Sequence, residues 1–324
     1  MYNILQKYFS SLVFLTKILI IAGAYYMISD KLLNDISFNR VLWLEEIESK
    51  GYLGFLLILL LLFFTLINWL FEILKWQSLV FSSTVISFFE AARQSLASLT
   101  ASLITPNRIG EYGAKALYFS KPQRPKIMML NFVGNISQML VTVIFGLLGL
   151  FILKDEFSYK IIDSPPFFGI AIILVLLVLL IVFFQKKWLA RIRHTFNDLL
   201  KIPVPVLKRT FLYSIIRYLV FSHQFYLILV FFGIDLEYNI AMSVIFSMYL
   251  ISSVIPGFVL FDWLVKGSVA VSLFSLFGVD EMIVLSITAT MWILNFALPA
   301  AIGSFYVLTF KTDSLVLSES KIRK

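Results

Sequence analysis

Long uninterrupted apolar stretches constrain this chain more than any other feature. The clearest, Tyr52–Leu74, reads YLGFLLILLLLFFTLINWLFEIL and carries a single charge, Glu72. About 20 apolar residues in a helix match a hydrocarbon core about 30 Å thick. Comparable stretches run over Leu12–Ile28, Ile127–Leu153, Phe167–Phe184, Phe211–Phe232 and Met282–Phe310. Hydrophobic residues make up 60% of the chain against 14% charged, and the mean hydropathy is +0.91, which excludes an ordinary soluble domain. The runs are continuous rather than alternating, which excludes a membrane-spanning barrel. The expected fold is an all-α polytopic membrane protein with about six full transmembrane helices.

Two further apolar regions, Val85–Phe119 and Ile240–Phe277, are broken in the middle by Pro106 and Pro256. A proline inside a helix removes a hydrogen bond and clashes with the preceding turn. Loop charges orient the chain, because cytoplasmic loops collect Lys and Arg. Gln185–Arg209 holds Lys186, Lys187, Arg191, Arg193, Lys201, Lys208 and Arg209 against Asp198 alone. It is expected to lie along the cytoplasmic surface as an amphipathic linker. KPQRPK at Lys121–Lys126 and the terminal KIRK are also basic. Asp30–Lys50, Lys154–Asp163 and the connections bearing Asp235, Glu237, Asp280 and Glu281 are acidic or balanced, and belong outside. Both termini are then cytoplasmic.

Counting crossings makes each broken region begin and end on one side, 85–119 on the cytoplasmic face and 240–277 on the outer one. The expected architecture thus adds two re-entrant broken-helix hairpins in inverted repeats to the full spans. All of it forms one integral membrane domain, 1–324. A first half covers 1–184, the linker 185–209, a second half 210–310 and a cytoplasmic tail 311–324. The hairpins share a pattern: Pro106, Glu111, Lys115 in the first and Pro256, Asp262, Lys266 in the second. Interrupted segments in corresponding halves are a pointer to a transport site.

A charge at the centre of a membrane helix costs about 2.5–3.5 kcal/mol on insertion scales. The first hairpin carries Glu90, Arg93, Arg108, Glu111 and Lys115, so these must pair or line a wet cavity. Glu90–Arg93 and Glu72–Lys75 are i,i+3 steps, and Glu111–Lys115 and Asp262–Lys266 are i,i+4 steps with the acid first, the better order on a helix. Two roles stay open for them: internal salt bridges that hold the hairpins, or a polar groove for a lipid headgroup. An anion site is expected where Thr105 caps a helix that starts at Pro106. Its free N–H groups and positive dipole end, with the Arg108 fork, suit phosphate. Gly110 and Gly113 keep that surface low, and the Ala/Ser/Thr-rich arm Ala91–Ser102 suits close helix packing. Arg217 is expected to snorkel to the cytoplasmic interface, Asn68, Trp69 and Trp76 to be interfacial, and Pro299 to kink the last span.

The net charge of +8 comes from short basic loops, so no nucleic-acid partner is implied. With no cysteine there is neither a disulfide framework nor a thiol site, and His194 and His223 lie too far apart for metal-ligand spacing. No ATP-binding loop is present and no cofactor is expected. Lys7, the apolar run and AGA at Ala22–Ala24 resemble a signal peptide. Lys17 and the continuing apolar Tyr25, Tyr26 and Met27 favour a retained first helix instead.

TPNRIGEYGAKALYF at Thr105–Phe119, with NWLFEILKW upstream and IPGFVLFDW downstream, resembles the flippase-like membrane region of the lysylphosphatidylglycerol synthase family. Pro106, Arg108, Gly110 and Glu111 carry the resemblance. It implies an inner-membrane protein that moves or holds lipids, in full-length relatives an aminoacylated phosphatidylglycerol. Those relatives add a soluble aminoacyl-transfer domain, for which there is no room after Phe310, so lysyl transfer is not expected. The family's second broken segment is glycine-rich with a glutamate, whereas PGFVLFD here is bulkier and ends in Asp262.

The expected function is translocation of a lipid headgroup through a groove lined by Thr105, Pro106, Arg108, Gly110, Glu111, Lys115, Asp262, Lys266, Glu90 and Arg93. The partners are membrane lipids, namely anionic or zwitterionic phospholipids or lipids of the polyprenyl-phosphate type. A non-transporting scaffold and an intramembrane lipid-modifying enzyme are the alternatives.

Overall fold

The computed structural model describes residues 40–103, 105, 108–154, 202–255 and 262–310. The expected spans Leu12–Ile28 and Phe167–Phe184 lie outside the described residues. So do Pro106, Pro256 through Phe261, the tail 311–324 and most of the linker. Every regular element among the described residues is helical. In chain order they are α1 (Arg40–Lys50), α2 (Tyr52–Phe81), α3 (Phe88–Ser102), α4 (Ile109–Leu117), α5 (Arg124–Ile152), α6 (Val204–Phe231), α7 (Tyr238–Val254), α8 (Asp262–Phe274), α9 (Glu281–Trp292) and α10 (Leu298–Leu308). A π-helical turn, Ile293–Ala297, joins α9 to α10.

Four helical stretches are long and apolar enough to cross a membrane: Tyr52–Phe81, Lys121–Ile152, Val204–Phe231 and Glu281–Leu308. The protein is membrane-integral. Leu53, Phe55, Leu59, Phe63 and Leu66 on α2 are exposed, as are Phe132, Leu140, Ile144, Leu147 and Phe151 on α5. An apolar outer surface of that size is what lipid, not water, solvates.

Several boundaries differ from the sequence expectation. α2 runs on to Phe81, past Leu74, so that Asn68, Trp69 and Trp76 are buried rather than interfacial. α6 starts at Val204 rather than Phe211, with Pro203 at its N-cap and Pro205 in its first turn, where a missing N–H costs nothing. Arg217 therefore sits mid-helix. Residues 40–50, expected in an outer loop, form α1. Its Trp43 packs edge-on against Phe232 at 4.8 Å, and Lys50 donates to the Phe231 carbonyl while pairing with Glu46 at 2.8 Å. A cation there caps the negative end of α6.

The apolar core falls into two main clusters. One gathers Trp43, Leu153, Phe231, Phe274 and Val279. The other gathers Val80, Ala91, Phe119, Ile127 and Ile202, from the opposite ends of the long helices. Both ends of the α3–α4 pair reach the second cluster, whereas Met242 and Phe274, from the two arms of α7–α8, lie in the first.

Helix pairing repeats across the chain. α2 packs on α6, α3 on α4, α4 on α5 and α10 on α3; in the second part α7 packs on α8, α8 on α9 and α5 on α7. Each exchanged contact depends on a glycine. A Cβ at Gly303 of α10 would lie 2.2 Å from the Leu96 carbonyl oxygen of α3, and one at Gly149 of α5 would lie 2.5 Å from the Ser243 carbonyl of α7. Small residues permit such approach without lipid between the helices. Thr100 of α3 then donates to the Ala300 carbonyl at 2.8 Å.

Pro299 does perturb the last span, through the π-helical turn just before it. A proline leaves the carbonyl one turn back without its helical donor, and the Trp69 indole N–H donates to the Asn295 carbonyl at 3.2 Å. Trp69→Phe removes that donor and is expected to cost about 1–3 kcal/mol, the penalty for an orphaned buried polar group. Thermal unfolding in detergent would measure it, and an unchanged midpoint would show the bond to be dispensable.

Candidate functional site

The helix after the first break begins later than the sequence suggests. α4 starts at Ile109, not Pro106, and Arg108 occupies its N-cap with φ 57° and ψ 27°. It is the only non-glycine residue at positive φ among the described residues. Left-handed backbone costs an L-residue about 1–2 kcal/mol and clusters where function over-determines geometry. Thr105 does cap, but further along than expected: its Oγ1 donates to the Ser102 carbonyl and accepts from the Gly110 N–H, both at 2.9 Å. Only glycine fits there, because a Cβ at Gly110 would lie 2.8 Å from both the Ala101 carbonyl and Thr105 Oγ1. Gly113 faces open space.

Behind that turn lies a buried ionic network. Glu111 binds Lys115 at 2.8 Å through Oε1 and Arg108 at 2.9 Å through Oε2. Lys115 also donates to Asn131 of α5 at 2.8 Å and stands 4.4 Å from the Trp76 ring centre. Trp76 in turn donates to Gln94 of α3 at 2.8 Å. The lysine is 1% exposed, so each of its partners replaces water.

A second group adjoins the first. On α2, Glu72 Oε2 binds Lys75 at 2.7 Å and Arg217 of α6 at 2.5 Å. Glu72 also interacts electrostatically with both Lys115 and Glu111. From Arg217 an amide chain runs on: Arg217 Nε donates to Asn68 at 2.8 Å, Asn68 to Asn295 at 2.6 Å, and Asn295 to Gln224 at 2.9 Å. Gln224 closes onto the Leu61 carbonyl and Thr65 of α2, both at 2.9 Å. Charged and amide side chains thus link α2, α4, α5, α6 and the π-helical turn.

The second broken region reaches the same place. Lys266 of α8 lies 5.4 Å from the centre of the Phe296 ring, and the Arg108 guanidinium lies 5.7 Å from that same ring. Phe296 belongs to the π-helical turn. Cations from the helices that follow the two breaks therefore meet at one aromatic ring. Asp262 begins α8, and its side chain, like Pro106, lies outside the described residues.

Two expected site residues stand apart. Glu90 is exposed and forms a capping box with Ser87, its Oε2 accepting the Ser87 N–H at 2.7 Å. Arg93 is exposed one turn on, on the outer face of α3. Near the start of α3, Glu90 serves helix capping and Arg93 is exposed, apart from the buried network.

The comparisons give this ionic arrangement a context. The family described as the lysylphosphatidylglycerol synthase TM region matches residues 14–303. The chain belongs to this family. No curated protein and no solved structure matches the chain. As a lysylphosphatidylglycerol synthase TM-region protein, it carries the proline–arginine–glycine–glutamate core that marked the resemblance, and that core supplies Arg108 and Glu111 to the network.

The same family region supplies network members that sequence spacing did not assign to the site. Arg217 was expected to snorkel, yet its burial between Glu72 and Asn68 makes it a central member. Asn68, Asn131, Gln224 and Asn295 are polar residues inside otherwise apolar spans, and that was their available signal. Phe296 had none, being one of 33 phenylalanines.

Proposed function

We propose that this chain is a lipid translocator that passes a phosphate-bearing headgroup through a polar groove between two re-entrant hairpins in inverted repeats. The observation that carries it is the meeting of Arg108 and Lys266 on Phe296, together with buried ionic pairs. The apolar packing supports this reading: the α3–α4 ends share one cluster and the α7–α8 arms the other. The exchanged packing of α10 on α3 and α5 on α7 fits a two-fold pseudo-symmetric origin. The headgroup moves along the groove while its acyl chains stay in lipid, and basic loops put both termini in the cytoplasm of the inner membrane. Translocation needs no covalent step, so the chain acts as a transporter rather than an enzyme.

Reconstitution in vesicles with a fluorescent phospholipid tests this. Arg108→Gly is the sharper variant, because glycine keeps the left-handed turn that alanine would strain. It is expected to slow flipping at least about tenfold, the loss of one charge-assisted contact, in protein that still folds. An unchanged rate would remove Arg108 from the pathway. The scaffold alternative gains from the near-complete burial of Lys75 and Lys115, and it predicts no flipping by the unaltered chain.

A further inference from the structure

The last span consists of two arms with different partners. α9 packs along α8, and α10 packs along α3. A glycine brings each pair close. A Cβ at Gly267 of α8 would lie 3.1 Å from Leu285 Cδ2 of α9, just as one at Gly303 of α10 would meet the Leu96 carbonyl of α3. Each arm also has a small apolar cluster of its own. Trp263 of α8 gathers with Trp292 of α9 in one, and Leu99 of α3 with Ala300 of α10 in the other. Phe296 packs against both.

Between the arms the helical ladder changes. Ile293–Ala297 is π-helical, a form that is rare and whose single turns concentrate at functional sites. Pro299 has no N–H to give the Asn295 carbonyl, and Trp69 of α2 donates in its place. The Asn295 side chain accepts from Asn68 of α2 at 2.6 Å and donates to Gln224 of α6 at 2.9 Å and to the Met291 carbonyl at 3.1 Å. Single neutral hydrogen bonds thus fix the joint, while close helix packing fixes each arm to its partner. A neutral hydrogen bond contributes little net free energy, because its groups find other partners once it opens. A disturbed ladder beside a proline is also where a helix kinks.

Resting on the translocation reading above, we propose that the π-helical turn Ile293–Ala297 is the hinge of the transport cycle, about which α8 and α9 swing as one body against α3 and α10. Hinge motion concentrates the dihedral change in a few residues between packed bodies. Rocking of one body against another around a fixed site is what alternating access requires. Phe296 sits at the joint, with Lys266 of α8 against its ring from one body. Arg108, at the start of the α4 helix that packs on α3, meets the ring from the other. A swing therefore changes the separation of these two cations, which opens the polar groove on one side of the ring and closes it on the other.

The chain has no cysteine, so pairs of introduced cysteines carry spin labels on an otherwise unaltered 324-residue chain. Leu264 of α8, Met282 of α9, Phe89 of α3 and Ile302 of α10 are exposed positions for them. The measurement is double electron–electron resonance in nanodiscs of phosphatidylcholine and phosphatidylglycerol. Leu264–Met282 and Phe89–Ile302, each within one body, are expected to give single narrow distances. Met282–Phe89, between the bodies, is expected to give a broad or two-peaked distribution. A swing of about 10° moves the far end of α9, 12 residues and about 18 Å long, by about 3 Å. Pro299→Ala returns an N–H to the Asn295 carbonyl and should collapse that distribution to one peak. It should also slow lipid flipping in vesicles about fivefold, the population shift that one backbone hydrogen bond produces. Asn295→Leu releases the turn from α2 and α6 and should widen the distribution, and it serves if Pro299→Ala does not fold. A Met282–Phe89 distribution as narrow as those within a body, unmoved by either change, overturns the hinge. Equal broadening of all three pairs overturns it too. Two peaks in a chain that flips no lipid leave the hinge standing and sink translocation; an unaltered flipping rate with Met282–Phe89 held at one distance sinks the hinge alone.

Discussion

Glu72→Gln is expected to destabilise the protein by about 3–5 kcal/mol, the cost of removing one partner from a buried ion pair. Glu72 is 7% exposed and its Oε2 holds both Lys75 and Arg217. The amide keeps the shape but leaves two cations facing each other between α2 and α6. Among the described residues those helices form the most extensive helix pair, so the damage falls on that seam. Thermal unfolding in detergent measures the loss. Adding Arg217→Gln to the same chain should recover part of it, because one uncompensated charge leaves with its former partner. A double variant no more stable than Glu72→Gln would show that Glu72 and Arg217 act independently, against the geometry.

The second large effect concerns packing. Gly303→Val places branched carbon where even a Cβ would lie 2.2 Å from the Leu96 carbonyl oxygen and 2.4 Å from Thr100 Oγ1. Backbone cannot yield as a flexible side chain does, so α10 must move off α3, and the Thr100–Ala300 hydrogen bond goes with it. Overpacking of this kind costs about 1–3 kcal/mol, occasionally more. Gly113→Ala is the control, since nothing lies within 4 Å of its added Cβ. It should be neutral or stabilising by up to about 1 kcal/mol, as alanine favours helix. Equal effects of the two changes in a folding titration would mean that the α3–α10 approach is not under steric control.

Local rules accounted for much of the first break. The i,i+4 spacing of Glu111 and Lys115 predicts their pairing, and they are found 2.8 Å apart. The capping role of Thr105 was legible too, although its acceptor serves Gly110 and not the first turn of a helix begun at Pro106. The left-handed Arg108 was not, since nothing in its side chain favours that conformation; it follows from Gly110 letting the turn close over Ala101. Glu90 and Arg93 share a spacing as good as that of Glu72 and Lys75, yet one pair lies at an exposed helix start and the other in the core. Spacing along a helix sets which side chains can meet, while depth depends on what packs around the helix.

The sequence alone determined the class and the position of four long apolar helices, because each follows from local composition and backbone chemistry. It also pointed to the family, whose match extends over residues 14–303. Only tertiary structure decided that Arg217, Asn68 and Asn295 join the ionic centre, and that Arg108 and Lys266 share Phe296. The Arg217–Asn68 and Asn68–Asn295 contacts join residues more than a hundred positions apart. They depend on glycine-enabled crossings that draw separate helices together, which no periodicity within a single helix encodes.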